Sequence, residues 1–147
     1  MSARFFLDTN VLIYSLDREN AGKRRVAQEL VTQALEESKG VISYQVVQEF
    51  LSVAFRKFQT RMKPEDAERY LQGVLEPLCA VFAGIPLYHQ ALDIARRWKY
   101  GFYDALIIAS ALEAGCSILY SEDLQNGQKI GKLKIVNPFL EGGATPL

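Results

Sequence analysis

Five short runs that are almost wholly apolar recur along this chain, the first four separated by helical stretches and the last two by a polar loop, Leu124–Gly131. They are Phe5–Leu7, Val41–Tyr44, Leu78–Phe82, Cys116–Tyr120 and Leu133–Val136. Strands of this kind, too short and too apolar to leave one face in water, belong in a parallel sheet with helices on both sides. The pattern predicts an α/β fold, a three-layer α/β/α sandwich around a central parallel sheet of four or five strands. Right-handed crossovers then bring the carboxyl ends of all strands to one edge, where open α/β sheets carry their chemistry. No internal repeat or linker divides the 147 residues, so they are expected to form one domain, with Glu141–Leu147 as a loose tail.

The intervening helices read as follows. Val26, Leu30, Val31, Ala34 and Leu35 form one stripe of a helix over Lys23–Glu37, which Gly40 stops. A second helix from Gln45 to about Phe58 collects Val46, Val47, Phe50, Leu51, Val53 and Ala54. After a turn at Arg61–Lys63, Pro64-Glu65-Asp66 opens a third, which Pro77 is expected to end. With no strand between them, these two should form an inserted helical hairpin. Leu87–Lys99 and Tyr103–Ala114 complete the set, and the last is apolar nearly all round, as a central buried helix should be.

Acids stand at telling places in this plan. Asp8 follows the first strand, and Asp123 lies just beyond the fourth, in Ser121-Glu122-Asp123. Glu49 falls at the border of its helix's apolar arc, where it can reach over the rim of the sheet; it can equally be a solvated residue paired with Arg56 or Lys57. Asp104 occupies the first turn of the apolar helix, either complementing the helix dipole or facing an apolar wall that demands a partner. Carboxylates crowded together at neutral pH repel one another unless a cation lies between them. All-oxygen donors favour Mg²⁺ or Mn²⁺, and such a site suits phosphodiester hydrolysis.

Composition restricts the setting. Lys plus Arg equals Asp plus Glu at 17 each, so bulk charge gives no sign of a nucleic-acid partner. Cys79 and Cys116 lie in apolar surroundings without metal-ligand spacing and read as core thiols of a reducing compartment. His89, the one histidine, has no partner in view and reads as a surface residue. The start of the chain reaches Asp8 before a leader's apolar region could form, and no window of about 18 apolar residues offers a membrane span. A cytoplasmic location without membrane contact is expected.

Phe6-Leu7-Asp8-Thr9-Asn10-Val11-Leu12-Ile13-Tyr14, the helical Gln48-Glu49-Phe50, the run from Tyr103-Asp104 to Ala111-Leu112, and Leu119-Tyr120-Ser121-Glu122-Asp123-Leu124 resemble, in order and spacing, the four signature segments of the PIN domain family. The closest resemblance is to VapC-type ribonuclease toxins of toxin–antitoxin pairs, and it spans Arg4 to Phe139. It implies that Asp8, Glu49, Asp104 and Asp123 are catalytic acids that bind Mg²⁺ or Mn²⁺. Asn10 and Ser121 then stand at supporting polar positions, Ser121 where many members carry threonine. It also implies an RNA substrate, a cognate antitoxin protein and a homodimer.

With those four acids neutralised by metal, seventeen bases face thirteen remaining acids, an excess of four positive charges. Arg56, Lys57, Arg61 and Lys63 around the helix of Glu49, and Arg96, Arg97 and Lys99 ahead of Asp104, are candidates to hold phosphates. Tyr100, Phe102 and Tyr103 are available for base stacking. Each run also reads as an ordinary solvated face. Two other functions remain open on these residues: a non-catalytic PIN module that binds RNA or a protein, and a phosphoryl-transfer enzyme with Asp8 as nucleophile. Against the latter, Asn10 stands where a D-x-D start would place a second acid.

Overall fold

A computed structural model describes residues 3–56 and 62–140. The expected helix end near Phe58, the basic residues Lys57 and Arg61, and the tail Glu141–Leu147 lie outside them. Strand β1 (Phe5–Leu7) leads into α1 (Thr9–Tyr14) and α2 (Ala21–Glu36), then β2 (Gly40–Ser43) and α3 (Tyr44–Arg56). The helix α4 (Pro64–Tyr70), a π-helical turn at Leu71–Leu75 and the short α5 (Glu76–Leu78) follow. Next come β3 (Cys79–Val81), α6 (Ile85–Trp98), α7 (Phe102–Glu113), β4 (Ile118–Tyr120), β5 (Lys129–Ile130) and β6 (Leu133–Val136).

The sheet has the order β3-β2-β1-β4-β6-β5. Its first five strands run parallel, as the alternation of strands and helices predicts, and the sixth differs: β5 pairs antiparallel with β6. Sequence reading placed β5 within a polar loop. Two residues are too few for a period-2 pattern to register, and the turn at Gly131, whose φ is 60°, folds them back on β6.

All three residues of β1 are buried although neighbours along a strand point to opposite faces. Helices therefore cover both sides of the sheet. Successive strands first step from β1 through β2 to β3, and the chain then returns to the other side of β1 at β4. The strand order reverses at β1, and a crevice opens there at the carboxyl edge.

Several local choices fix this frame. Helix α3 buries Val46, Phe50 and Ala54 at a strict four-residue spacing, and the Phe50 ring stacks on Tyr70 of α4 with centroids 4.6 Å apart, clasping the helical hairpin. Gly40 is required by contact: a Cβ there would stand 2.1 Å from the Cβ of Ala34, so only glycine lets α2 lie this close to β2. Pro77 does not end its helix as expected. The chain winds on to Leu78, because the wide turn at Leu71–Leu75 absorbs the mismatch of a residue that has no N–H to give to the preceding turn. Helix α7 buries Ala105 to Ala111 without a break, in keeping with its all-round apolar sequence. Cys116 is buried, whereas Cys79, at the edge of the sheet, is only half-buried.

Candidate active site

Asp8 is positioned by the register of two strands. Leu7 pairs with Tyr120, and the ladder continues with the Asp8 N–H donating to the Tyr120 carbonyl at 3.0 Å. Asp8 and Ser121 are thus the first residues beyond two adjacent strand ends. The Ser121 hydroxyl donates to Asp8 Oδ2 at 2.6 Å. Asp8 also caps α1, with Oδ1 accepting the Thr9 N–H at 2.7 Å. Only 7% of the residue is exposed, and its carboxyl is pushed up to about 6. Burial is the main cause; the bonds from Ser121 and Thr9 oppose it, and the charges of Glu49 and Asp123 add to it.

The other three acids arrive from separate segments. Glu49, half-buried on α3, is held by two neutral donors: Thr9 Oγ1 donates to Oε1 at 2.5 Å, and Gln45 Nε2 donates to Oε2 at 3.0 Å. The alternative partner Arg56 instead turns back on Ser52. Asp123 is exposed and accepts from Asn10 Nδ2 at 3.2 Å, while its own N–H donates to Ser121 Oγ at 3.2 Å. Asp104 lies in the first turn of α7 and is exposed, so it does not face the apolar wall that the helical wheel offered as one possibility. Its carboxyl is still raised, first by partial loss of water and then by the charges of Asp123 and Glu49. The four acids thus share one electrostatic field, Glu49 and Asp123 each acting on both Asp8 and Asp104.

Asn10 ties the site together. Its Nδ2 donates to Asp123 and stands 3.5 Å from both Asp8 Oδ2 and Ser121 Oγ, while its Oδ1 accepts the Glu122 N–H at 3.3 Å. Glu122 points the other way. It accepts from the Tyr14 hydroxyl at 2.7 Å and pairs with Lys23 of α2, whose ammonium also lies over the Tyr14 ring. The two neighbouring acids are thereby separated, Asp123 to the site and Glu122 to a buttress behind it. Sequence reading placed Asp123 in the site but missed that buttress, since nothing in a sequence ties Lys23 to a residue 99 positions away. It also missed Thr9 and Gln45 as the partners of Glu49; the four-residue step from Gln45 to Glu49 was the available signal.

An open cleft of about 510 Å³ lies beside these groups, lined by Asn10, Glu49, Arg56, Tyr103 and Asp123 among others. Arg56 is the one described member of the predicted phosphate-binding set on this lining. Arg96 and Arg97, in the last turn of α6, are paired with Asp93 and do not line it. His89 is exposed on α6, remote from the lining.

The sequence matches the family described as PIN domain over residues 5–129, which takes in every element from β1 into β5. The chain belongs to the PIN domain family. No curated protein matches the sequence. Among solved structures, this PIN domain superposes on VapC20 of Mycobacterium tuberculosis, a sarcin-ricin loop cleaving toxin, with a TM-score of 0.61 at 20% identity over 81% of this chain and 89% of that one. FitAcB from Neisseria gonorrhoeae gives 0.62 at 18% identity over 92% and 98%. The DNA-bound VapBC of Salmonella typhimurium gives 0.60 at 21% identity over 91% and 97%. At these identities the likeness is one of fold.

The donor set of this PIN domain suits a hard divalent cation. All four acids supply oxygen, and a buried Asp8 carboxyl raised further by the charges of Glu49 and Asp123 is a condition that a cation would relieve. Among the described residues no three acidic, histidine or cysteine side chains already form a group able to hold an ion.

Proposed function

We propose that this PIN domain is a divalent-metal-dependent endoribonuclease and the toxin of a toxin–antitoxin pair. The observation that carries the reading is the shared field of Asp8, Glu49, Asp104 and Asp123 at the point where the strand order reverses. The description of one structural neighbour as a toxin that cleaves the sarcin-ricin loop, and of another as a toxin–antitoxin complex, supports it. The four acids hold Mg²⁺ or Mn²⁺, which when bound supplies a lowered water pKa and charge stabilisation at the phosphate.

The chain's own residues do the positioning. Ser121 and the Thr9 N–H fix Asp8, Asn10 fixes Asp123, and Thr9 Oγ1 with Gln45 fixes Glu49, so three of the four carboxylates that would hold the ion are oriented before it binds. Arg56 on the cleft meets the RNA backbone, and Tyr103 offers a ring for a base. The aspartyl-nucleophile alternative is disfavoured because Asp8 is buried with both oxygens already accepting hydrogen bonds. A cognate antitoxin and a second copy of the chain are the proposed partners, and the proposed location is the cytoplasm. Among the described residues no helix is long and apolar enough to cross a membrane.

Incubation with structured RNA, with and without EDTA, beside Asp8→Asn, tests this. Cleavage that requires the metal and is lost in the variant is expected. Cleavage that survives both treatments overturns it, and RNA or partner binding without any cleavage favours the non-catalytic module.

A further inference from the structure

We propose that Gln45 is a positioning residue that locks the two acid-bearing helices, α3 with Glu49 and α7 with Asp104, into one site. The inference rests on the metal-dependent reading above and assigns a role to a residue outside its acids.

Gln45 sits one turn before Glu49 on α3, and only 8% of it is exposed. Its amide has two N–H bonds to give, and both are used across the site. One goes to Glu49 Oε2 at 3.0 Å, the other to the main-chain carbonyl of Tyr103 at 3.2 Å. Tyr103 immediately precedes Asp104, and α7 begins at Gly101 without any side-chain cap on its first turn. The start of this helix is therefore tied down from outside, by an amide that simultaneously orients a carboxylate on α3.

The arrangement has a cost that packing alone does not account for. Gln45 Oε1 is buried and has no hydrogen-bond partner among the described residues. An unsatisfied buried carbonyl costs about 1–3 kcal/mol. Turning the amide over would not relieve it, because the oxygen would then face the Glu49 carboxylate and the Tyr103 carbonyl. An apolar side chain of similar length would remove that orphan, at the loss of the two hydrogen bonds to Glu49 and Tyr103. A buried polar group kept at a loss, with both donors aimed at the carriers of two acids, is what a positioning role requires and what core packing does not.

The test is Gln45→Met, which preserves length and removes both donors together with the orphaned oxygen, with Gln45→Leu as a second variant. Thermal melting in EDTA should show Gln45→Met close to the wild type, since removal of the orphaned oxygen offsets the two lost hydrogen bonds. Cleavage of RNA should fall by about 10–100-fold, the usual effect of losing a group that orients metal ligands. Calorimetric titration with MnCl₂ alone should show a matching loss of affinity. Wild-type cleavage and Mn²⁺ affinity in both variants overturn the proposal, as does a fall in activity that follows a fall in melting temperature. If the wild type binds Mn²⁺ but cuts no RNA, the ribonuclease reading fails, and weaker Mn²⁺ binding by the variants still supports the role of Gln45. If the wild type binds no Mn²⁺, both fail.

Discussion

Removing the central acid should stabilise this protein when metal is absent. Asp8 has its carboxyl pushed from 3.8 to about 6 by burial and by its acidic neighbours. Well below its unfolded value of 3.8 it is protonated in both the folded and unfolded chains and contributes no penalty, and near pH 4 the penalty is still small. As pH rises, the unfolded chain gives up this proton first, so the folded state loses stability until its own value near 6 is passed. About two pKa units at ~1.36 kcal/mol each make the full penalty ~3 kcal/mol at neutral pH. In Asp8→Asn the amide oxygen keeps the Thr9 N–H bond and the amide nitrogen faces Ser121 Oγ; the long contact from Asn10 is lost, for about 1 kcal/mol. The net gain of ~2 kcal/mol corresponds to about 4–8 °C in a domain of this size. Melting followed by circular dichroism in EDTA should show that gain at pH 7.5 and little of it at pH 4. Saturating Mg²⁺ should raise the wild type and leave the variant unmoved, narrowing or reversing the order. A variant that melts at or below the wild type in EDTA at pH 7.5, or whose advantage is the same at pH 4, would refute the reasoning.

Three further outcomes are expected. Gly40→Ala should lower stability by about 1–3 kcal/mol in urea denaturation, since the new methyl group overlaps Ala34 and α2 must shift off β2. Ser121→Ala removes the hydroxyl that donates to Asp8 and accepts the Asp123 N–H, and should cut metal-dependent cleavage by about 10–100-fold while Ser121→Thr retains most of it. Arg56→Gln should weaken RNA binding and reduce the slope of log affinity against log salt by about one phosphate contact, which fluorescence anisotropy across a salt series measures.

The parallel core was legible because β1, most of β2 and the middle of α7 are buried on all sides, and burial on all sides writes itself as unbroken apolar runs. The acids at 8 and 123 were legible for a related reason: a strand end is a place that the sequence marks. Glu49 and Asp104 were harder, since a helical wheel gives an angle and no distance. Asp104 turned out to be exposed, and what ties it to the others is the field of Asp123 and Glu49. The winding through Pro77 was hidden because the wide turn that permits it has no sequence signature as plain as proline itself. Contacts such as Lys23 with Glu122 or Thr9 with Glu49 depend on the finished topology and could not be read beforehand.

The central strand is completed from far along the chain. β1 pairs with β4 through Phe5 and Ile118, more than a hundred residues apart, so one of its two flanks stays uncovered until that long loop closes. Asp8 meets Ser121 and Asp123 only at that moment. A chain in which β4 has not yet docked on β1 has Asp8, Glu49 and Asp104 but no site. Under the proposed function the topology ties cutting to that one long-range pairing, so that a partly folded chain spares RNA.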